Sequence, residues 1–79
     1  MNSNATFIHG ANEWATDRFN NRTVGDVRNM SLVQDTLNLQ GNESAVLEDS
    51  YGEEESVADN YVIQAGDTIR FTRQAGTKG

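Results

Sequence analysis

Alternation of apolar and polar residues is clearest close to the end of the chain, over residues 68–73. Ile69 and Phe71 fall on one face of this stretch, and polar side chains fall on the other. A period of two is typical of a β-strand with one buried face. The preceding Gly66-Asp67 pair favours a turn, because glycine reaches positive φ at low cost and aspartate bonds nearby backbone amides. We therefore expect this last strand to lie at the centre of the fold.

Shorter apolar runs predict three further strands. Residues 5–9 and 14–19 are expected to form an N-terminal hairpin, with the turn at residues 11–13, and residues 44–48 form a third strand. Trp14 is interpreted as core or hairpin packing rather than as a platform for sugar binding, since a single aromatic residue usually packs.

A single helix is expected to follow the hairpin, beginning at Thr23 and ending between Asp35 and Leu37. Thr23 offers an N-cap hydroxyl, and Asp26 stands three residues later, as in a variant of the capping box. Gly25 weakens the first turn by up to about 1 kcal/mol relative to alanine. Leu39 is expected to enter the core from the loop that follows. The apolar stripe has helical spacing and comprises Val24, Val27, Met30, Val33 and Leu37.

Acidic residues are concentrated in the second half of the chain. Residues 43–67 hold eight carboxylates and no lysine or arginine, and Glu53, Glu54 and Glu55 are consecutive. A solvated loop or loose hairpin over residues 49–60 is the first interpretation, because charge runs are usually solvated. A docking surface for a basic partner is the alternative.

Composition limits the function classes. The chain has 79 residues, no cysteine and a net charge of −6, which is the size of one domain without disulfides. The negative charge argues against nucleic acid and against anionic membrane surfaces as partners. No apolar run approaches a membrane span and no signal-peptide pattern begins the chain. We therefore expect a cytoplasmic protein.

The residues needed for catalysis are sparse. His9 is the sole histidine, and a single histidine at a strand end is usually structural. No histidine pair is available for zinc, and neither a calcium-loop spacing nor a glycine-rich phosphate loop occurs. The sequence therefore indicates a protein that is not an enzyme and that uses no cofactor or metal.

The predicted order of strand, strand, helix, strand, loop and strand indicates a compact α+β fold. In such a fold the last strand returns beside the first and parallel to it. Two motifs resemble those of ubiquitin-like proteins: residues 23–28 (TVGDVR) resemble their helix start, and residues 60–71 (NYVIQAGDTIRF) resemble the ending of the sulfur carriers ThiS and MoaD. This resemblance implies a β-grasp (ubiquitin-like) fold, with a mixed four- to five-stranded sheet packed on one helix.

The C-terminal residues 71–79 (FTRQAGTKG) are similar to those of the PRTRC system protein C family of small bacterial ubiquitin-like proteins. That family occurs with a ThiF-type activating-enzyme homologue and a JAB-type peptidase homologue, and the resemblance implies such partners. Carriers of this kind end in Gly-Gly, whereas Lys78 stands before the final Gly79 here.

The expected organisation is one domain over residues 1–73, followed by a flexible tail over residues 74–79. The first functional hypothesis is a non-enzymatic protein-interaction module of a bacterial or phage system, binding by its sheet face or its tail. The alternative is a carrier activated at its C-terminal glycine by a ThiF/E1-like enzyme, and a further alternative is a structural accessory subunit of an assembly. The candidate binding residues are Gly76, Thr77, Lys78 and Gly79.

Overall fold

A computed structural model describes residues 3–72 as an α+β fold with a five-stranded mixed sheet and two helices. Residues 73–79, and with them the expected tail, lie outside the described residues. The strands are β1 (Ala5–His9), β2 (Asn12–Thr16), β3 (Ser44–Glu48), β4 (Glu54–Val57) and β5 (Thr68–Thr72), and the helices are α1 (Val24–Arg28) and α2 (Ser31–Leu37).

The strand order β2-β1-β5-β3-β4 places β5 at the centre of the sheet. β5 runs parallel to β1 and antiparallel to β3, and the two outer pairs are antiparallel hairpins. The expectations that the last strand is central and parallel to the first are therefore confirmed. This arrangement is compatible with the expected β-grasp fold.

The core lies between one face of the sheet and the two helices. Ile69 and Phe71 are buried, as their alternation predicts, and Leu39 is buried in the loop after α2. Met30 is only half-buried, while the other four members of the predicted helical stripe are fully buried. The remaining large core side chains come from all parts of the chain and include Phe7, Phe19 and Ile63.

The prediction of one continuous helix is wrong, because the chain breaks between α1 and α2. Thr23 caps α1 as predicted, accepting a hydrogen bond on Oγ1 from the Asp26 amide at 3.2 Å. Met30 is extended, with φ −75° and ψ 132°, and begins a second helix. The Gln34 side chain donates to the Arg28 carbonyl at 3.0 Å, which satisfies a carbonyl near the end of α1 that has lost its helical partner.

The second strand is shorter and earlier than the predicted 14–19. Gly10 has φ 62°, so the chain reverses at once and Phe7 pairs directly with Trp14. Phe19 lies beyond the strand and packs its ring edge-to-face with Phe7 and Trp14, at centroid distances of 5.7 and 5.4 Å. Trp14 thus packs against the core, as expected from the sequence.

The segment between β4 and β5 lies against the start of α1. Val62 forms a β-bridge with Thr23, and the Gly25 amide donates to the Asp59 carbonyl at 2.9 Å. Arg28 then forms a bidentate ion pair with Asp59, at 2.8 and 2.7 Å. These contacts hold the segment in place so that Ile63 can enter the core.

Candidate functional site

The sheet has a second face that no described helix covers. Successive side chains of a strand point to opposite faces of the sheet. In β1, β3 and β5, the residues that alternate with the buried ones therefore point away from the helices. We call this surface the open face. Ile8, Arg70 and Val46 are directly in register across its three central strands, and the two aliphatic side chains are half-buried. The remaining positions of the open face on these strands are Thr6, Thr68, Thr72, Ser44 and Glu48.

Arg70 links the open face to the acidic side of the sheet. Its Nη2 lies 3.3 Å from Glu48, and its Nε lies 3.6 Å from Glu54. Glu48 and Glu54 are direct cross-strand partners, an arrangement that is unfavourable for two like charges. The arginine therefore offsets a repulsion between β3 and β4.

The turn between β3 and β4 is held by one aspartate. Asp49 Oδ1 accepts hydrogen bonds from the amides of Tyr51 and Glu53, both at 2.9 Å. Its own amide donates to the Glu53 carbonyl at 2.9 Å. The Tyr51 residue at the tip is 90% exposed. Residues 49–60 thus contain the turn and the second strand of a hairpin whose first strand is β3, so the segment is solvated as expected but more regular than a loop or a loose hairpin.

Several of the eight carboxylates in residues 43–67 have internal partners. Glu43 is 3% exposed and accepts from the amides of Gln40 and Gly41, at 2.7 and 3.0 Å. Burial by itself raises the pKa of Glu43. Hydrogen bonds from the backbone of Gln40, Gly41 and Glu43 itself outweigh this effect, so the pKa is lowered overall. Glu43 is therefore a structural anion that stabilises the loop before β3.

Two other acidic residues also stabilise the fold. The hydrogen bond to Arg28 lowers the pKa of Asp59, and the same contact raises the pKa of the guanidinium. Asp67 accepts from the Tyr61 hydroxyl at 2.7 Å and from the Gln64 amide at 3.0 Å. Burial, together with this carboxylate, raises the pKa of Tyr61 to about 12. Both carboxylates therefore already have partners within the fold.

Within residues 43–67, the exposed carboxylates that do not have these internal partners therefore lie on the β3–β4 hairpin. Glu53, Glu54 and Glu55 are all exposed, and Glu54 alone of the three is paired with a described cation. This arrangement can attract a basic group from outside the chain, and it lies directly beside the open face.

His9 has a structural role. Its Nδ1 lies 2.8 Å from the Leu37 carbonyl, and the carbonyl can only accept, so Nδ1 carries the proton. Asn12 Nδ2 donates to the same oxygen at 3.2 Å. Both side chains therefore cap the C-terminus of α2. Within residues 3–72, no group of three or more histidine, cysteine or acidic residues is placed to hold a metal ion.

The four binding residues predicted from the sequence, Gly76 to Gly79, lie outside the described residues. The structure instead brings together Ile8, Val46 and Arg70, which the sequence interpretation did not select. The alternation along each strand indicates that these three residues face away from the core. Only the strand order shows that they lie side by side.

Comparison of the chain with protein-family models, with curated proteins and with solved structures found no match. Over the described part of the chain, no helix has the length and apolar character needed to cross a membrane.

Proposed function

We propose that this protein is a non-enzymatic interaction module with a β-grasp, ubiquitin-like fold, and that it binds a protein partner on the open face of its sheet. The observation that carries the proposal is the in-register row of Ile8, Arg70 and Val46 at the centre of a face that no described element covers. Aliphatic side chains around a planar guanidinium form an amphipathic surface, and arginine is enriched in protein interfaces.

Charge favours a basic partner. Glu48 lies on the open face, and the exposed glutamates of the hairpin lie beside it. Among the described cations, only Arg70 pairs with any of these residues, contacting Glu48 and Glu54. A partner with lysine or arginine around an apolar centre would complement this surface, and its association would be accelerated electrostatically at low salt.

An affinity capture with matched variants tests the proposal. The bait is the parent chain, and the test bait is the Ile8→Arg/Val46→Arg double variant, which adds charge at the centre of the open face. Thr36→Arg is the control, because Thr36 is exposed on α2, outside the sheet. We expect a protein from the native host to bind the parent and the control, to be lost from the double variant, and to weaken as salt rises.

The identified partner is then purified and titrated by calorimetry against all three baits. Equal affinity for the parent and the double variant would overturn the open-face proposal. The carrier alternative rests on residues 76–79, and no described contact favours it. It stays a prediction that incubation with a ThiF/E1-like enzyme and ATP would test, by a mass increase at the C-terminus.

A further inference from the structure

β4 is an edge strand of the sheet, and no described strand pairs with its outer side. In an antiparallel pair, hydrogen-bonded and non-hydrogen-bonded positions alternate. The Asp49 amide donates to the Glu53 carbonyl, so the facing pair Asp49 and Glu53 is a hydrogen-bonded position. The register then places Glu55 and Val57 at the next hydrogen-bonded positions toward β3.

The backbone N–H and C=O groups of Glu54 and Ser56 consequently point away from β3, toward the free edge. Both residues are exposed, so an incoming extended chain can reach these groups. A row of unpaired backbone groups of this kind is a template for adding a strand.

The side chains of this edge decide which strand can be added. Glu53, Glu54 and Glu55 are exposed, so a second copy of β4 would bring glutamates against glutamates. Like charges on facing positions destabilise a strand pair, and charged side chains protect an edge from self-association. Lysine or arginine on an incoming strand would instead form favourable cross-strand pairs.

We infer that the free edge of β4 binds an extended, lysine- or arginine-bearing segment of the partner protein as an additional strand of the sheet. The inference rests on the proposed function and deepens it, because it names the chemistry of the partner and a second contact beside the open face. Backbone hydrogen bonds to Glu54 and Ser56 hold the segment, and the glutamates select its charge.

The test uses an end-blocked octapeptide of alternating lysine and threonine, titrated into the full chain and followed by NMR. We expect slowed hydrogen exchange at the amides of Glu54 and Ser56. A glutamate–threonine octapeptide is the charge control. A lysine–threonine octapeptide with every backbone amide N-methylated is the pairing control, because it keeps the charge but has no backbone N–H left to donate to β4 on either edge. Absence of binding, unchanged exchange at both amides, or equal binding of the N-methylated peptide would each overturn the inference.

Two variants locate the contact. Ser56→Pro removes one outward N–H without removing a bond to β3, a position at which an edge strand tolerates proline, and it should weaken peptide binding by about tenfold. Glu53→Lys/Glu55→Lys should reverse the charge preference, so that the glutamate peptide binds more tightly than the lysine peptide. An unchanged preference would contradict the edge site, even if the proline variant fails to fold.

The open-face variant separates this inference from the proposed function. The single substitution Ile8→Arg is used here, because Val46 faces Ser56 across the β3–β4 pair, whereas β5 and β3 separate Ile8 on β1 from β4. Ile8→Arg should therefore still bind the lysine–threonine peptide. Loss of partner capture by this variant, combined with failure of the edge tests, would overturn the edge inference alone. Peptide binding at the edge, combined with unchanged partner affinity of the open-face variant, would instead overturn the open-face proposal.

Discussion

Replacing Glu43 with glutamine tests whether a buried carboxylate stabilises the loop that leads into β3. Its two oxygens accept from the Gln40 and Gly41 amides at 2.7 and 3.0 Å, and the residue is 3% exposed. A glutamine has one acceptor oxygen and turns an NH₂ group toward the second amide. At least one of these two part-buried amide bonds is then lost, and the remaining bond loses its charge, at a cost of about 2 kcal/mol.

That cost is large for so small a domain, whose total stability is on the order of 5 kcal/mol. Glu43→Gln should therefore lower Tm by about 10 °C at pH about 7, measured by thermal unfolding followed by circular dichroism. Urea unfolding should give the corresponding loss of free energy. Glu53→Gln is the matched control: its side chain is exposed, and its effect should stay within about 0.5 kcal/mol.

The effect should also depend on pH in a defined direction. The pKa of Glu43 is lowered in the folded protein, so its contribution is fully present above its unfolded pKa and is lost as pH falls through the folded pKa. The stability difference between parent and Glu43→Gln should therefore narrow between pH about 5 and pH about 3. A difference that stays constant over this range would refute the charge argument, and a loss below about 0.5 kcal/mol at pH about 7 would refute the role of the hydrogen bonds.

Three further substitutions test the core, the Tyr61 contact and the helix start. Phe71→Ala should cost about 3–5 kcal/mol, because Phe71 is 1% exposed; a variant that melts within a few degrees of the parent would contradict its central place. Tyr61→Phe should remove a spectrophotometric titration step near pH 12 and cost about 1 kcal/mol through the lost bond to Asp67; a step that survives would show that another group titrates there. Gly25→Ala should not raise Tm despite its better helix propensity, since the new Cβ would lie 3.1 Å from the Asp59 Cβ; a clear rise in Tm would show that the Asp59 segment yields.

The alternation of apolar residues predicted the strands that carry the core. β1 and β3 have the bounds expected from their short apolar runs, and β5 begins where the turn at Gly66 ends. Each of these strands buries one face, so the positions of its apolar residues in the sequence indicate directly which side chains are buried. The hydroxyl of Thr23 identified the start of α1 for a similar reason, because a helix N-terminus needs a local acceptor.

Two features could not be read from the pattern. The apolar spacing through Met30 suits one helix, and it does not report the side-chain bond that satisfies the backbone at the break, from Gln34 to the Arg28 carbonyl. β4 has three glutamates in or beside it and no buried residue, so no alternation of hydrophobicity marks it. Its strand conformation comes from pairing with β3, which is a tertiary contact.

The candidate site was hidden for a related physical reason. Ile8, Val46 and Arg70 come from three separate segments, and each is unremarkable within its own strand. Their contact follows from the strand order, in which the connection from β4 to β5 places β5 between β1 and β3. A binding surface on a sheet therefore has no local motif: its composition depends on which strands become neighbours. The edge of β4 likewise has no local motif, because its outward amides follow from the register with β3. Only its glutamates are visible in the sequence, and they set the sign of charge that a partner must carry.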